Sequence, residues 1–204
     1  MQSLLQPLID AGARPAHVAR VRRVWLGGGE LAREASRPGL LLPKALGPVL
    51  AQVASELDAV AEVVSEQASA DGGVKLLLRL ARGGSIESVL LPGASLCVST
   101  QVGCAVGCTF CMTGRGGLER QLTVAEILAQ LVLARRRRPS RRVVLMGMGE
   151  PAHNLQSVLP ALSAMGGDGA LGHKEIVFST VGEPSLFERL AAHDVKPALA
   201  LSLH

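Results

Sequence analysis

Apolar residues over the first 70 positions recur at helical spacing. In SELDAVAEVVSEQ (residues 55–67), Leu57, Val60, Val63 and Val64 fall on one face, which predicts an amphipathic helix. GARPAHVARVRRVWL reads as another short helix. DGG (71–73) breaks this pattern. Two apolar runs follow, 74–81 and 85–91, flanking RGGS, and they predict a β-hairpin closed by Leu91-Pro92-Gly93.

From Leu96 the texture changes. LCVST is a short strand, and LTVAEILAQLVLARRRR a helix whose start is marked by a capping box of Thr123 and Glu126. RVVLMGMGE is a strand ending in glycine, NLQSVLPALSAM a helix despite Pro160, and KEIVFSTVG a strand. PSLFERLAAH is a helix with Pro184 in its first turn, and KPALALSLH a last strand. The order is βαβαβαβ, and nearly continuous apolar strands predict a parallel sheet covered by helices. The expected organisation is a helical accessory domain (1–70), a β-hairpin connection (71–93) and an α/β half-barrel (94–204), with polar or glycine-rich segments after each strand. In parallel α/β folds, sites gather at the carboxyl ends of strands.

Composition narrows the class. The chain has 204 residues, 48% hydrophobic and 19% charged, so a folded domain is expected rather than a disordered one. With no Tyr, one Trp and three Phe, the core must be built from Leu, Val and Ala. No run approaches a membrane span and no secretory layout opens the chain, so a cytoplasmic protein without membrane contact is expected. The net charge of +4 owes much to Arg135, Arg136, Arg137, Arg138, Arg141 and Arg142. Such a cluster suits either a phosphate backbone or a solvated helix end.

QVGCAVGCTFCMTG (101–114) holds Cys104, Cys108 and Cys111 in C-x3-C-x2-C spacing; Cys97 lies seven residues upstream. In a reducing compartment, close cysteines point to metal or catalysis. Structural zinc takes four protein ligands, and only three cluster here. Three thiolates in one loop suit an iron–sulfur cluster with one iron left open. Zinc and unrelated thiols stay open as alternatives. Gly103 and Gly107 let the loop curl.

C-x3-C-x2-C with Phe110 before the last cysteine resembles the signature of radical S-adenosylmethionine enzymes. LCVSTQVGCAVGCTFCMTG followed by MGMGEP, FSTVG and LALSLH resembles, more narrowly, the RlmN/Cfr family of radical RNA methyltransferases, from about Glu87 to His204. The resemblance implies a radical-SAM barrel in which Cys104, Cys108 and Cys111 hold a 4Fe-4S cluster. S-adenosylmethionine chelates the open iron and is cleaved to a 5′-deoxyadenosyl radical. Gly149, Glu150, Ser179, Ser202, Leu203 and His204 match cofactor contacts. Cys97 matches the thiol that resolves a covalent RNA adduct, and Glu87 the proton acceptor. The implied substrate is an adenosine, at carbon 2 or carbon 8, in large-subunit ribosomal RNA and for some members transfer RNA. An electron donor such as flavodoxin or ferredoxin and a disulfide bond are implied as well.

The chain also departs from that family. It supplies about three and a half of six βα units, and neither the methyl-accepting cysteine near the family's C-terminus nor a later cofactor-binding Asn has a counterpart. The expectation is a fragment or truncated product of such an enzyme. Rival expectations are a non-catalytic iron–sulfur or RNA-binding remnant, a radical enzyme acting on another substrate, and a zinc module.

Overall fold

The computed structural model describes residues 1–34 and 42–203. The described residues open with the α-helices α1 (Gln2–Asp10), α2 (Pro15–Leu26), α3 (Leu31–Glu34) and α4 (Gly47–Asp58). Their apolar stripes fold inward. Val18, Val21, Trp25 and Leu26 of α2 and Leu50, Val53, Ala54 and Leu57 of α4 are buried at helical spacing, as an amphipathic helix requires.

The helix expected over 55–67 stops at Asp58, and β1 (Ala61–Ala68) takes its second half. The cause is tertiary. Val63 and Val64 are β-branched and stiff at χ1, and β1 pairs antiparallel with β2 (Val74–Leu80). Across that pair Arg79 meets Glu62 at 2.7 Å.

β2 and β3 (Ser85–Leu91) form the expected hairpin, but it is no isolated connection. β3 pairs antiparallel with β4 (Ser95–Cys97), which starts the parallel part. α5 (Val124–Arg135), α6 (Leu155–Gly166) and α7 (Pro184–Ala192) alternate with β7 (Arg142–Leu145), β8 (Ile176–Thr180) and β9 (Ala198–Leu201). One seven-stranded sheet results, in the order β1-β2-β3-β4-β7-β8-β9, parallel from β4 onward. The expected βαβαβαβ order is thus present with three antiparallel strands added at its front. A two-stranded ribbon, β5 (Gln101–Gly103) with β6 (Leu118–Gln121), stands apart and brackets the cysteine loop.

Residues alternate across the parallel strands. Leu96, Val143, Leu145, Ile176 and Phe178 are buried, while Cys97, Val144, Val177, Ala198 and Ala200 on the opposite face are only partly covered. The sheet is therefore less enclosed than the apolar runs suggest. Leu199 and Leu201 of β9 are exposed among the described residues.

α5 is the central helix, buried on nearly every side, with Glu126 and Gln130 among its buried residues. The capping box forms as expected: the Thr123 hydroxyl accepts the Glu126 N–H at 3.3 Å, and the Glu126 carboxylate accepts the Thr123 N–H at 2.8 Å. Glu126 also takes two bonds from Arg120 of β6, at 2.8 and 3.0 Å. Arg120 donates in addition to the Gly83 carbonyl at 2.6 Å, so one guanidinium joins hairpin tip, ribbon and helix.

The arginine run after α5 is largely spent inside the fold. Arg135 donates to the Leu26 carbonyl at 2.8 Å, and Arg136 and Arg137 pair with Asp58 and Glu66, each at 2.7 Å. Arg138 donates to the carbonyls of Gly72 and Leu91. These bonds clasp α2, α4, β1 and the hairpin onto the end of α5, and the exposed Arg141 and Arg142 lie outside that clasp. The cluster sits at the amino end of β7, opposite the carboxyl ends of the strands.

Candidate active site

The segments after the parallel strands meet in one cleft of about 390 Å³. Cys104, Cys108 and Cys111 line it together with Gly149, Glu150, Ser179 and Ser202. Seven sequence-predicted residues thus converge at the carboxyl ends of the strands, where parallel α/β folds place their chemistry.

The cysteine loop is shaped by its glycines. Gly103 and Gly107 both take positive φ, +75° and +69°. A side chain on Gly103 would run into the Gly117 carbonyl, so β5 and β6 close only over glycine. The loop is fastened by the Cys104 N–H to the Gly117 carbonyl and by the Cys111 N–H to the Cys108 carbonyl, each at 3.0 Å. Burial pushes the Cys111 thiol up, but hydrogen bonds from the Thr113 side chain and the Thr113 and Gly114 backbone outweigh it, and its pKa falls below the ordinary 9.0.

Residues 146–150 run along residues 98–101. The Gly147 N–H donates to the Val98 carbonyl at 3.0 Å, and the Met148 carbonyl accepts the N–H groups of Thr100 and Gln101 at 2.8 and 3.2 Å. The Glu150 N–H donates to the Gln101 side-chain oxygen at 2.8 Å. Gly147 and Gly149 let these two segments approach closely: a Cβ on Gly147 would stand 2.7 Å from the Ser99 hydroxyl. The Glu150 carboxylate, 5% exposed, accepts from the N–H groups of Ala152 and Val181 at 2.9 and 3.1 Å, which ties the loop after β7 to the loop after β8. Ser179 and Ser202 face each other at 3.2 Å.

The remaining expected residues stand elsewhere. Cys97 and Glu87 do not line the cleft. Cys97 pairs with Val89, and Glu87 lies two residues from Val89, so the three side chains share one face of the sheet. Burial raises the Cys97 thiol above the ordinary 9.0, partly offset by the Met146 backbone. The Glu87 carboxylate is 46% exposed and pairs with Lys75 at 3.0 Å. Leu203 is 81% exposed and outside the cleft, and His204 lies outside the described residues. All four cysteines are free, so no disulfide forms among them. Sequence reasoning missed Ser99, Gln101 and Gln130. A glutamine inside the apolar helix ILAQLVLA was the one available sign.

Among the described residues, no three His, Cys, Asp or Glu side chains are gathered tightly enough to hold one metal ion. The donor set is nonetheless three soft thiols on the wall of one cleft. That set fits a multi-iron cluster, which takes each thiolate at a separate iron, better than a four-ligand tetrahedral zinc site. Among the described residues no helix is long and apolar enough to cross a membrane.

The sequence profile of the Radical SAM superfamily matches residues 98–196, the span that holds the three cysteines with strands β7 and β8. Over this stretch, just under half of its length, the chain is similar to the radical SAM superfamily. Among similar proteins of this kind is a probable RNA methyltransferase of Pseudomonas aeruginosa, 57% identical over 205 residues, covering 100% of this chain and 59% of the relative. A probable RNA methyltransferase of Thiobacillus denitrificans is 56% identical over 204 residues, covering 100% and 56%. The crystal structure of a radical SAM methyltransferase from Sphaerobacter thermophilus superposes with a TM-score of 0.79 at 34% identity, covering 98% of this chain and 61% of that one. The chain therefore spans about three-fifths of the relatives it matches. The fold is that of a radical SAM methyltransferase, with the parallel strands as a partial barrel.

Proposed function

We propose that this chain is the cofactor-binding part of a radical RNA methyltransferase of RlmN/Cfr type. It would methylate an adenosine at carbon 2 or carbon 8 of large-subunit ribosomal RNA, with transfer RNA as a second substrate class. The observation that carries the reading is the convergence of Cys104, Cys108, Cys111, Gly149, Glu150, Ser179 and Ser202 on one cleft. The names of the relatives support RNA as the substrate.

In this reading Cys104, Cys108 and Cys111 hold a 4Fe-4S cluster, and residues 149–150 with Ser179 and Ser202 receive S-adenosylmethionine beside it; Leu203 and His204 extend that set. When bound, this pair supplies one-electron chemistry and a methyl source. The chain's own residues fix the geometry. The zipper between residues 98–101 and 146–150 holds the cofactor segment beside the cysteine loop, and the Glu150 carboxylate locks the next loop against it. Cys97 acts as the resolving thiol and Glu87 as the proton acceptor, on the sheet face they share. To take a proton, Glu87 must give up Lys75, which its exposure permits. Electrons would come from a flavodoxin or ferredoxin, and the setting is cytoplasmic.

The test is an anaerobic assay of the complete protein with reductant, methyl-labelled S-adenosylmethionine and ribosomal or transfer RNA. The reading expects label on an adenine carbon. Label only on a small molecule or protein, or cofactor turnover indifferent to RNA, would refute it.

A further inference from the structure

The β3–β4 ladder ends abruptly. Continuing its register two residues past Val89↔Cys97 sets Glu87 opposite Ser99. Yet the Ser99 backbone turns away: its N–H donates to the Gln130 side-chain oxygen at 2.8 Å, and its carbonyl accepts from the Gln130 amide nitrogen at 2.9 Å. The Ser99 hydroxyl fills the ladder's place. It donates to the Glu87 carbonyl at 2.6 Å and accepts the Met148 N–H at 2.8 Å. The Glu87 N–H meets the Met148 sulfur at 3.3 Å. One buried hydroxyl therefore joins the strand bearing Glu87 to the segment assigned to the cofactor.

We propose that Ser99 is a positioning residue that fixes Glu87 relative to residues 146–150, with Gln130 orienting Ser99 from α5. This rests on the proton-acceptor reading of Glu87 given above. Losing the hydroxyl would free Glu87 more than the cofactor segment. That segment keeps its bonds to Val98, Thr100 and Gln101, whereas the Glu87 main chain keeps only the sulfur contact on this side. A matched control exists. Ser88 is equally buried and donates to the same Gln130 oxygen at 2.7 Å, but it bridges nothing to Met148.

The test compares Ser99→Ala with Ser88→Ala in the complete protein. Without cofactor, hydrogen exchange at the amides of Glu87 and Met148 should speed up about tenfold in Ser99→Ala and less than about threefold in Ser88→Ala. In the loaded enzyme, Ser99→Ala should lower kcat for RNA methylation about tenfold with KM for the cofactor within about threefold. Equal exchange effects in the two variants would overturn the proposal, as would faster exchange with kcat unchanged. If the wild-type protein methylates no RNA, the functional reading and the catalytic part of this proposal fall together. The exchange data would then still decide whether Ser99 braces the strand.

Discussion

A Cβ on Gly149 would stand 2.5 Å from the Cβ of Gln101. Gly149 also holds φ at +97°, where side chains are strained. The glycine of the cofactor segment is thus required first by its own protein. Gly149→Ala should cost roughly 2–5 kcal/mol, combining backbone strain with overpacking. Gly116→Ala, where nothing lies within 4 Å, should stay within about 0.5 kcal/mol. Thermal or urea unfolding of the two variants compares them directly.

Among the described residues, Arg120 and Glu126 form the most buried ion pair, with side chains 24% and 2% exposed. Burial alone would raise the Glu126 pKa; Arg120 and Thr123 overcome it, and the net pKa lies below the ordinary 4.5. A carboxyl with a lowered folded pKa stabilises fully above its unfolded pKa and loses that contribution as pH falls through the folded value. Stability should decline below about pH 4.5, and Glu126→Gln should flatten that decline while costing about 3–5 kcal/mol at neutral pH. Unfolding midpoints measured from pH 7 to pH 3 give both effects.

The arginine clasp predicts a graded series. Arg136→Ala and Arg137→Ala, each losing a partly exposed pair, should cost up to about 1 kcal/mol. Arg135→Ala leaves the Leu26 and Ser140 carbonyls without their donor and should cost about 1–3 kcal/mol. Equal losses across the three, read by chemical denaturation, would contradict this division of labour.

Cys97 should resist alkylation in the cluster-free protein. Its thiol is pushed up by burial, so less thiolate is present at a given pH. Mass spectrometry after timed iodoacetamide treatment at pH 8 should find it modified last. Modification at the rate of Cys104 or Cys108 would mean that its strand opens freely.

Much of this arrangement was legible in the residues. The Thr123–Glu126 box marked the start of α5, Pro184 that of α7, and the cysteine spacing marked the cleft. Local chemistry fixes those features. What stayed hidden depends on partners distant in sequence. Val63 and Val64 satisfy helical spacing and strand propensity alike, and only the pairing of β1 with β2 decides for a strand. The β5–β6 ribbon is too short for periodicity to reveal. The arginine run suited a phosphate backbone or a solvated helix end alike, because its partners Asp58, Glu66 and the carbonyls of Leu26 and Leu91 lie far off in the chain.

The central claim is that three of the four cysteines hold the cluster and the fourth does not. Anaerobic reconstitution with iron and sulfide, followed by iron analysis of single Cys→Ala variants, tests it most directly. About four irons per chain are expected in the wild type and in Cys97→Ala, with a severe loss on changing Cys104, Cys108 or Cys111. Zinc in place of iron, or iron lost with Cys97 and retained without the other three, would contradict the account.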